Sequence, residues 1–439
     1  MKTVGFVSLG CSKNRVDSEV LLGLLKEKGY KIVSDPAKAE TIVVNTCGFI
    51  LPAKEESIET IFDMAEYKKT GKLKTLIVTG CLVQRYGDAL KEEIPEIDIL
   101  MGVAEYSRIF EAIEMANAGQ RPLMTGEGDR FFKSPRVLTT PPYSAYVKIS
   151  DGCDNKCTYC AIPLIRGGYH SRPFADIVEE CRELVARGVH EITLIAQDTS
   201  RYGNDFEEHK LLLPELLKEI HAIEGLHWLR VLYCYPDTVN KELLETMASL
   251  PKVCLYLDLP LQHINARLLK DMNRRGTPEH IKQQIARCRE YGIAVRTTMI
   301  VGFPGETEEE FEELMDFVEE TRFDRLGAFA FSPEEGTVAA EMDDQLPEEV
   351  KQERLDRLMT MQSTISLKRN QARVGTTEKV LVTDVGQDGF ILGRSHREAP
   401  ETDGEIVFAR KGRPVPEIGT FVNVKITQAD TYDLMGEML

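Results

Sequence analysis

The chain has 439 residues, of which 42% are hydrophobic, and a formal net charge of −17. This length predicts two to four domains, and the apolar share excludes a disordered chain. The acidic excess argues against a general nucleic-acid binder, because phosphate contacts need clustered Lys and Arg, and it suits a basic protein partner. The apolar runs are shorter than the roughly 20 residues that span a bilayer. We therefore expect a cytoplasmic protein without a membrane segment.

Residues 1–116 predict an α/β domain. Strands are expected at 3–9, 39–45 and 73–79, with helices at 18–28 and 53–67. This alternation is typical of a doubly wound parallel sheet. Residues 117–142 are rich in Gly, Pro, Arg and Thr, which indicates a linker.

Residues 143–373 predict a second parallel sheet. Six strands separated by helical patterns are expected at 145–150, 191–196, 228–233, 253–259, 294–301 and 326–331. Six successive strand–helix units predict a partial (β/α)6 barrel, which a long charged helix from Pro347 to about Arg373 closes. Residues 374–439 alternate short apolar runs with Gly-containing turns, which predicts a small antiparallel β-barrel.

Three of the ten cysteines fall in one loop after the strand 145–150. They are Cys153, Cys157 and Cys160, close enough in sequence to hold one metal centre. A structural zinc site needs a fourth ligand, and no Cys or His follows at zinc-finger spacing, since His170 lies ten residues on. A [4Fe–4S] cluster held by three thiolates keeps one iron open for another ligand. The spacing favours the cluster, with zinc as the alternative.

Three further cysteines are far apart in sequence but occupy equivalent positions. Cys11, Cys47 and Cys81 each follow the end of a predicted strand, and each is flanked by a glycine. Because the carboxyl ends of parallel strands gather at one edge of a sheet, we expect these thiols to converge on a second cluster. The alternative is that they are ordinary buried cysteines. The remaining cysteines are interpreted as buried small hydrophobic residues: Cys181, Cys234, Cys254 and Cys288.

The spacing Cys153-x3-Cys157-x2-Cys160, with Tyr159 before the last cysteine, resembles the radical S-adenosylmethionine (SAM) superfamily motif. Together with the second cysteine group and a C-terminal barrel similar to the TRAM domain, essentially the whole chain resembles the methylthiotransferase family. The phrases at 8–14, 45–49 and 302–306 match that family. The resemblance implies two [4Fe–4S] clusters, SAM as cosubstrate, and transfer of a methylthio group to an unactivated carbon.

The family has two branches, one acting on adenosine in transfer RNA and the other on an aspartate of ribosomal protein S12. The phrases at 197–203, 258–263 and 393–404 are similar to the S12 branch. Residues 372–439 contain 8 Lys and Arg against 11 Asp and Glu, a net charge of −3, which suits a basic protein better than RNA. Four acidic residues of the barrel are predicted to form the docking surface: Glu398, Glu401, Asp403 and Glu405. The expected substrate is therefore S12, free or on the small subunit, with transfer RNA as the alternative.

The resemblance also implies where SAM binds. The expected contacts are Gln197, Arg166, Gly302 and Glu306, although Glu306 lies one place later than in the usual superfamily pattern. Arg166 and Arg172 are candidates for holding the carboxylate of SAM or of the substrate, or for anchoring their loop. No catalytic side chain is assigned beyond the cluster ligands. We further expect an external electron donor, a sulfur source that the sequence does not identify, and a monomer.

Overall fold

The computed structural model describes residues 2–386 and 389–439, which form two parallel sheets and one closed barrel. The first sheet contains β1 (Thr3–Ser8), β2 (Lys31–Ile32), β3 (Thr41–Thr46), β4 (Thr75–Gly80), β5 (Ile99–Met101) and β6 (Leu123–Met124). The strand order is β2-β1-β3-β4-β5-β6, and every neighbouring pair is parallel. The order reverses between β1 and β3, which is the switch point where open α/β sheets place their ligands. The predicted doubly wound domain is confirmed.

Helices cover both faces of this sheet. They are α1 (Ser12–Glu27), α2 (Leu51–Ala65), α3 (Tyr67–Thr70), α4 (Cys81–Glu93) and α5 (Ile109–Asn117), with short 3-10 turns at Pro36–Lys38 and Tyr106–Arg108. The prediction that the first helix begins at residue 18 is wrong, because α1 begins directly after Cys11. Its first turns carry buried polar residues, including Asn14 and Asp17. Hydrophobic periodicity does not detect such turns.

The segment 117–142, predicted as a linker, is held against both neighbouring regions. β6 lies within it and pairs with β5. Further along, Arg136 donates to Glu19 of α1 and to Glu180 of the second region. Thr139 donates to Glu19 from both its backbone nitrogen and its hydroxyl. The segment therefore fastens α1 to the following region.

The second sheet has six parallel strands, as predicted. They are β7 (Ser144–Lys148), β10 (Glu191–Ile195), β11 (Trp228–Val231), β12 (Val253–Asp258), β13 (Ala294–Val301) and β14 (Arg325–Ala330), and they neighbour one another in chain order. A separate small hairpin pairs β8 (Ser150–Asp151) with β9 (His170–Ser171). The core fills the space between the strands and the surrounding helices.

Eight helices accompany the second sheet. They are α6 (Ile162–Arg166), α7 (Phe174–Ala186), α8 (Leu213–His221), α9 (Lys241–Ser249), α10 (Ala266–Asp271), α11 (Pro278–Glu290), α12 (Glu308–Thr321) and α13 (Glu348–Gln371), with 3-10 turns at Thr199–Arg201 and Val338–Glu341. Within the described residues, no helix is both long and apolar enough to cross a membrane.

The C-terminal barrel is closed by five strands: β15 (Thr377–Val385), β16 (Phe390–Arg394), β17 (Ile406–Ala409), β18 (Phe421–Ala429) and β19 (Leu434–Met438). The predicted small barrel is confirmed, but the sequence did not reveal β19. Four of its five strand pairs are antiparallel, and β17 and β19 pair in parallel.

The predicted acidic docking surface on the barrel is wrong for two of its four residues. Glu398 is 1% exposed; it accepts from Ser395 within the barrel and from Arg325 of β14 and Arg373, just after α13, which fix the barrel to the second region. The Asp403 carboxylate accepts a hydrogen bond from Tyr256 of β12. Because these carboxylates already serve the junction between barrel and sheet, they are not free for a partner. Composition counts such charges without showing which are buried.

Candidate functional site

Cys11, Cys47 and Cys81 lie at the carboxyl ends of three adjacent strands. β1 and β3 pair with Ser8 opposite Asn45, and β3 and β4 pair with Thr46 opposite Gly80. Each cysteine comes one to three residues after these partners. The neighbouring glycines allow close approach: a Cβ built on Gly10 would lie 3.2 Å from Cys47 Sγ. The structure therefore brings these three thiols to one sheet edge, which we call the sheet-edge group.

Asn14 ties the three strand ends together from the first turn of α1. Its Nδ2 donates to the backbone oxygen of Leu9 at 3.2 Å and to that of Thr46 at 2.9 Å. Its Oδ1 lies 3.4 Å from Cys81 Sγ. One buried amide thus contacts the strand end before Cys11, the residue before Cys47, and Cys81 itself.

Cys153, Cys157 and Cys160 lie in the loop between β8 and α6, which we call the loop group. Gly152 has φ +78°, and a Cβ there would lie 1.9 Å from the Gly168 oxygen, so only glycine fits. The Cys153 nitrogen donates to Gly167 O, and the Cys160 nitrogen donates to Cys157 O. These bonds fold the loop back on itself, and Cys153 and Cys157 lie close enough to Cys160 to raise the pKa of its thiol.

Burial raises the pKa of two thiols in each group, Cys47 and Cys81 at the sheet edge and Cys153 and Cys160 in the loop. Burial is the main cause, and it raises the pKa of Cys81 and Cys160 to about 12 and that of Cys153 to about 11. Neighbouring cysteines of the same group raise each of these pKa values further. Such thiols become thiolates when a metal supplies positive charge.

The donor sets fit two iron–sulfur clusters. All six cysteines are free of disulfides. Among residues 2–386 and 389–439, no three Cys, His, Asp or Glu side chains are spaced for a single metal ion. A four-iron cube spreads its thiolate ligands more widely than one ion does, so a cluster site does not require single-ion spacing. Each group offers three thiolates and leaves one iron of a cluster for another ligand.

A buried charge network links the two groups. Arg166 is 2% exposed, and its guanidinium donates to Asn14 Oδ1 at 2.8 Å and to Asp17 Oδ2 at 2.9 Å. It also donates to both oxygens of Asp151 at 3.1 Å, and Lys148 contacts the same two carboxylates. Two cations and two carboxylates balance one another. Although burial opposes it, Arg166 and Lys148 hold the pKa of Asp151 below its usual value.

The four predicted SAM contacts lie in separate settings. Gln197 donates to Asp151 Oδ1 at 3.1 Å, and Asp151 lies two residues before Cys153 of the loop group. Arg166 instead contacts Cys81 of the sheet-edge group, with 3.8 Å between Nη2 and Sγ. Arg172 pairs with Glu180 of α7, so its guanidinium is occupied. The assignment of Gln197 and Arg166 to SAM stays a prediction.

Gly302 and Glu306 form one turn after β13. Glu306 Oε2 accepts from the Gly302 nitrogen at 3.0 Å, and Oε1 accepts from Arg354 at 2.8 Å. Burial raises the pKa of Glu306. His263 is fully buried beside it, with 3.8 Å between Nε2 and Glu306 Oε2, and burial lowers its pKa to about 3. The turn is closed by its own contacts, and its assignment to SAM stays a prediction.

The carboxyl end of β11 lies between the two cysteine groups. The hydroxyl of Tyr233 is 3.5 Å from Ser12 Oγ, next to Cys11. The hydroxyl of Tyr235 is 4.0 Å from Cys157 Sγ. The Cα atoms of residues two positions apart, such as Tyr233 and Tyr235, are at most about 7 Å apart. The sheet-edge and loop groups therefore flank the same strand end.

A six-stranded parallel partial barrel with three thiols in the loop after its first strand defines a radical SAM domain. The Radical SAM superfamily model matches residues 147–318. The model for Uncharacterized protein family UPF0004 matches residues 3–102, and the TRAM domain model matches residues 374–439.

Curated relatives identify the branch. The chain is 50% identical to the ribosomal protein uS12 methylthiotransferase RimO of Desulforamulus reducens, over 100% of both chains. It is 49% identical to the RimO of Heliobacterium modesticaldum, over 99% of this chain and 95% of that one. The chain belongs to the ribosomal protein uS12 methylthiotransferase family.

Solved structures share the fold. The radical SAM methyltransferase TsrM of Kitasatospora setae, with tryptophan and a SAM analogue bound, aligns with a TM-score of 0.57 at 17% identity. The alignment covers 75% of this chain and 73% of TsrM. The cobalamin-dependent enzyme OxsB aligns with a TM-score of 0.53 at 13% identity, over 83% of this chain and 58% of OxsB.

Several residues of the site were not predicted from the sequence. Asn14, Asp17 and Asp151 hold the strand ends and the buried network, and Lys13 and Tyr233 lie between the cysteine groups. Asn14 lies three residues after Cys11, within the segment 8–14 that resembles the methylthiotransferase family. That position was the sequence feature that could have indicated its role. Its partners, 32 and 152 residues away, had no sequence signal.

Proposed function

We propose that this protein is a radical SAM methylthiotransferase that adds a methylthio group to the β-carbon of an aspartate in ribosomal protein uS12. One observation carries the proposal: two groups of three free thiols flank the same strand end, in a chain whose curated relatives are uS12 methylthiotransferases. Cys153, Cys157 and Cys160 would hold one [4Fe–4S] cluster, and Cys11, Cys47 and Cys81 the other.

When bound, the loop-group cluster supplies reductive cleavage of SAM, and the sheet-edge cluster supplies the sulfur. The chain's own residues position the two sites. The network around Arg166 fixes α1 against the loop after β8, so the distance between the groups is set by buried contacts. A radical is needed because no side-chain base readily removes a proton from an unactivated carbon. Gln197, Arg166, Gly302 and Glu306 remain the proposed SAM region.

The three regions divide the work in this proposal. Residues 1–116 hold the sulfur-supplying site, 143–373 the SAM site and 374–439 the substrate-recognition barrel, with 117–142 as the connecting segment. Of the predicted acidic surface, Glu405 remains partly exposed for a basic partner, whereas Glu401 is exposed but already paired with Arg15 of α1. We further propose a cytoplasmic monomer that takes electrons from an external donor.

The test is mass spectrometry of uS12 after incubation with the reconstituted full-length enzyme, SAM, a reductant and sulfide. The expected product is uS12 carrying one methylthio group on an aspartate. Transfer RNA incubated in parallel should remain unmodified. Methylthio-adenosine in the transfer RNA with unmodified uS12 would overturn the substrate assignment. Absence of 5′-deoxyadenosine would overturn the reaction class.

A further inference from the structure

Lys13 is a buried lysine two residues after Cys11, and it is 6% exposed. The described part of the chain buries seven lysines and arginines: Lys13, Lys148, Arg166, Arg230, Lys351, Arg354 and Arg394. The other six each form an ion pair with Asp or Glu. Among the described residues Lys13 has no carboxylate partner. A buried cation without a carboxylate of the chain is costly, so a bound anion beside Cys11 must offset its charge.

The ring of Tyr233 meets only part of the bonding capacity of the Lys13 ammonium. The ammonium lies 2.8 Å from the centroid of the tyrosine ring, a cation–π contact. An ammonium has three N–H donors, and the ring face contacts it from one side only. Tyr233 itself has φ +62°, a backbone conformation that non-glycine residues rarely adopt. The surrounding structure thus holds this aromatic face beside the lysine.

The start of α1 adds to the same positive region. This 16-residue helix begins at Ser12, has no acidic residue in its first turn, and receives no side-chain cap from Cys11. The free N–H groups at a helix start favour an anion. Lys13 and the helix start therefore act together on whatever binds beside Cys11.

The location restricts the ligand. Lys13 lies on the side of the sheet-edge group, and its neighbour Tyr233 is two residues from Tyr235, which contacts Cys157. The target carbon must lie between the SAM side and the sulfur side, because it loses a hydrogen to one and gains sulfur from the other. In an aspartate, the β-carbon is bonded directly to the carboxylate.

We propose that Lys13 binds the side-chain carboxylate of the target aspartate and makes the enzyme selective for aspartate over its uncharged isostere asparagine. This inference rests on the proposed function. Arg166 and Arg172 do not compete for this role, because carboxylates of the protein already occupy both guanidinium groups.

The test is a double-mutant cycle on binding, with both clusters loaded and SAM omitted so that nothing turns over. The dissociation constant is measured for wild-type uS12 and for uS12 with the target Asp replaced by Asn. We expect the wild-type enzyme to bind the Asp form about tenfold more tightly, as a charge-assisted hydrogen bond gives. Lys13→Met should bind both forms equally, and Lys13→Arg should recover part of the preference.

Lys26→Met is the matched control, since Lys26 is an exposed lysine of the same helix, and it should keep the wild-type preference. An unchanged Asp preference in Lys13→Met would overturn the inference while leaving the proposed function intact. If Lys13→Met fails to load its clusters, equal affinity of the wild-type enzyme for the two uS12 forms would also overturn it. Failure of the wild-type enzyme to modify uS12 at all would instead remove the proposed function.

Discussion

The loop group and the sheet-edge group offer the same three thiols but are built differently. Cys153, Cys157 and Cys160 share one eight-residue segment, which turns back through hydrogen bonds to Gly167 and within itself. Cys11, Cys47 and Cys81 come from three strands and converge only when the first sheet is complete. The first arrangement depends on local chain geometry, and the second depends on a folded domain and on Asn14.

Because they are built differently, the two sites should respond differently to substitution. A local loop keeps its ligands together even when distant contacts weaken. A site assembled from three strands depends on the contacts that join them, so removing such a contact should displace its ligands. Three sets of substitutions, with successively smaller expected effects on iron content, test this contrast.

Removal of either set of thiols should have the largest effect. Replacing Cys153, Cys157 and Cys160 by Ala should leave about four irons per chain instead of about eight and abolish SAM cleavage. Replacing Cys11, Cys47 and Cys81 by Ala should also leave about four irons, but the variant should still form 5′-deoxyadenosine without methylthio transfer. Iron analysis and product chromatography measure both.

The control for these variants is Cys288→Ala, which removes a buried thiol outside both groups and should keep about eight irons. Loss of all iron from either triple variant would show that the six cysteines form one shared site.

Asn14→Leu should selectively remove the iron bound by the sheet-edge group. The change removes two donors to strand-end carbonyls and the contact with Cys81, at a residue that is fully buried. Leaving such groups unpaired costs about 1–3 kcal/mol each, so the strand ends should separate. We expect iron to fall towards about four per chain, with the loop-group signal retained in electron paramagnetic resonance.

Asn240→Leu serves as the matched control, because it removes another hydrogen-bonding asparagine, at the start of α9. It should lose about 1 kcal/mol of stability and no iron. Full iron occupancy in Asn14→Leu would mean that the sheet alone holds the three thiols in place.

Ser57→Ala should produce the smallest effect. The Ser57 hydroxyl lies 3.0 Å from both the nitrogen and the oxygen of Cys47 and so braces one ligand only. We expect normal iron content but a several-fold faster loss of sheet-edge iron to a chelator, since one unpaired backbone group costs about 1–3 kcal/mol. Ser363→Ala, on α13, provides the comparison at a distant helix. Equal rates for the two variants would argue against local bracing.

The fold class and the placement of both cysteine groups could be predicted from the amino-acid sequence. Strand–helix alternation gave two parallel sheets, and turns between short apolar runs gave the barrel. The loop group followed from spacing alone. The sheet-edge group could be predicted because the carboxyl ends of parallel strands meet at one edge, which is a general rule and needs no side-chain detail.

The polar residues that surround these thiols could not be predicted, because they are brought together by the folded chain. The contacts from Arg166 to Asn14 and Asp17 join residues 152 and 149 positions apart, and no periodicity reports such pairs. Burial likewise turned Glu398 from a predicted docking charge into part of the junction between barrel and sheet. A charge acts through the groups packed around it in three dimensions, and composition does not record that packing. For the same reason the sequence does not reveal that Lys13 is buried against Tyr233 without a carboxylate partner among the described residues.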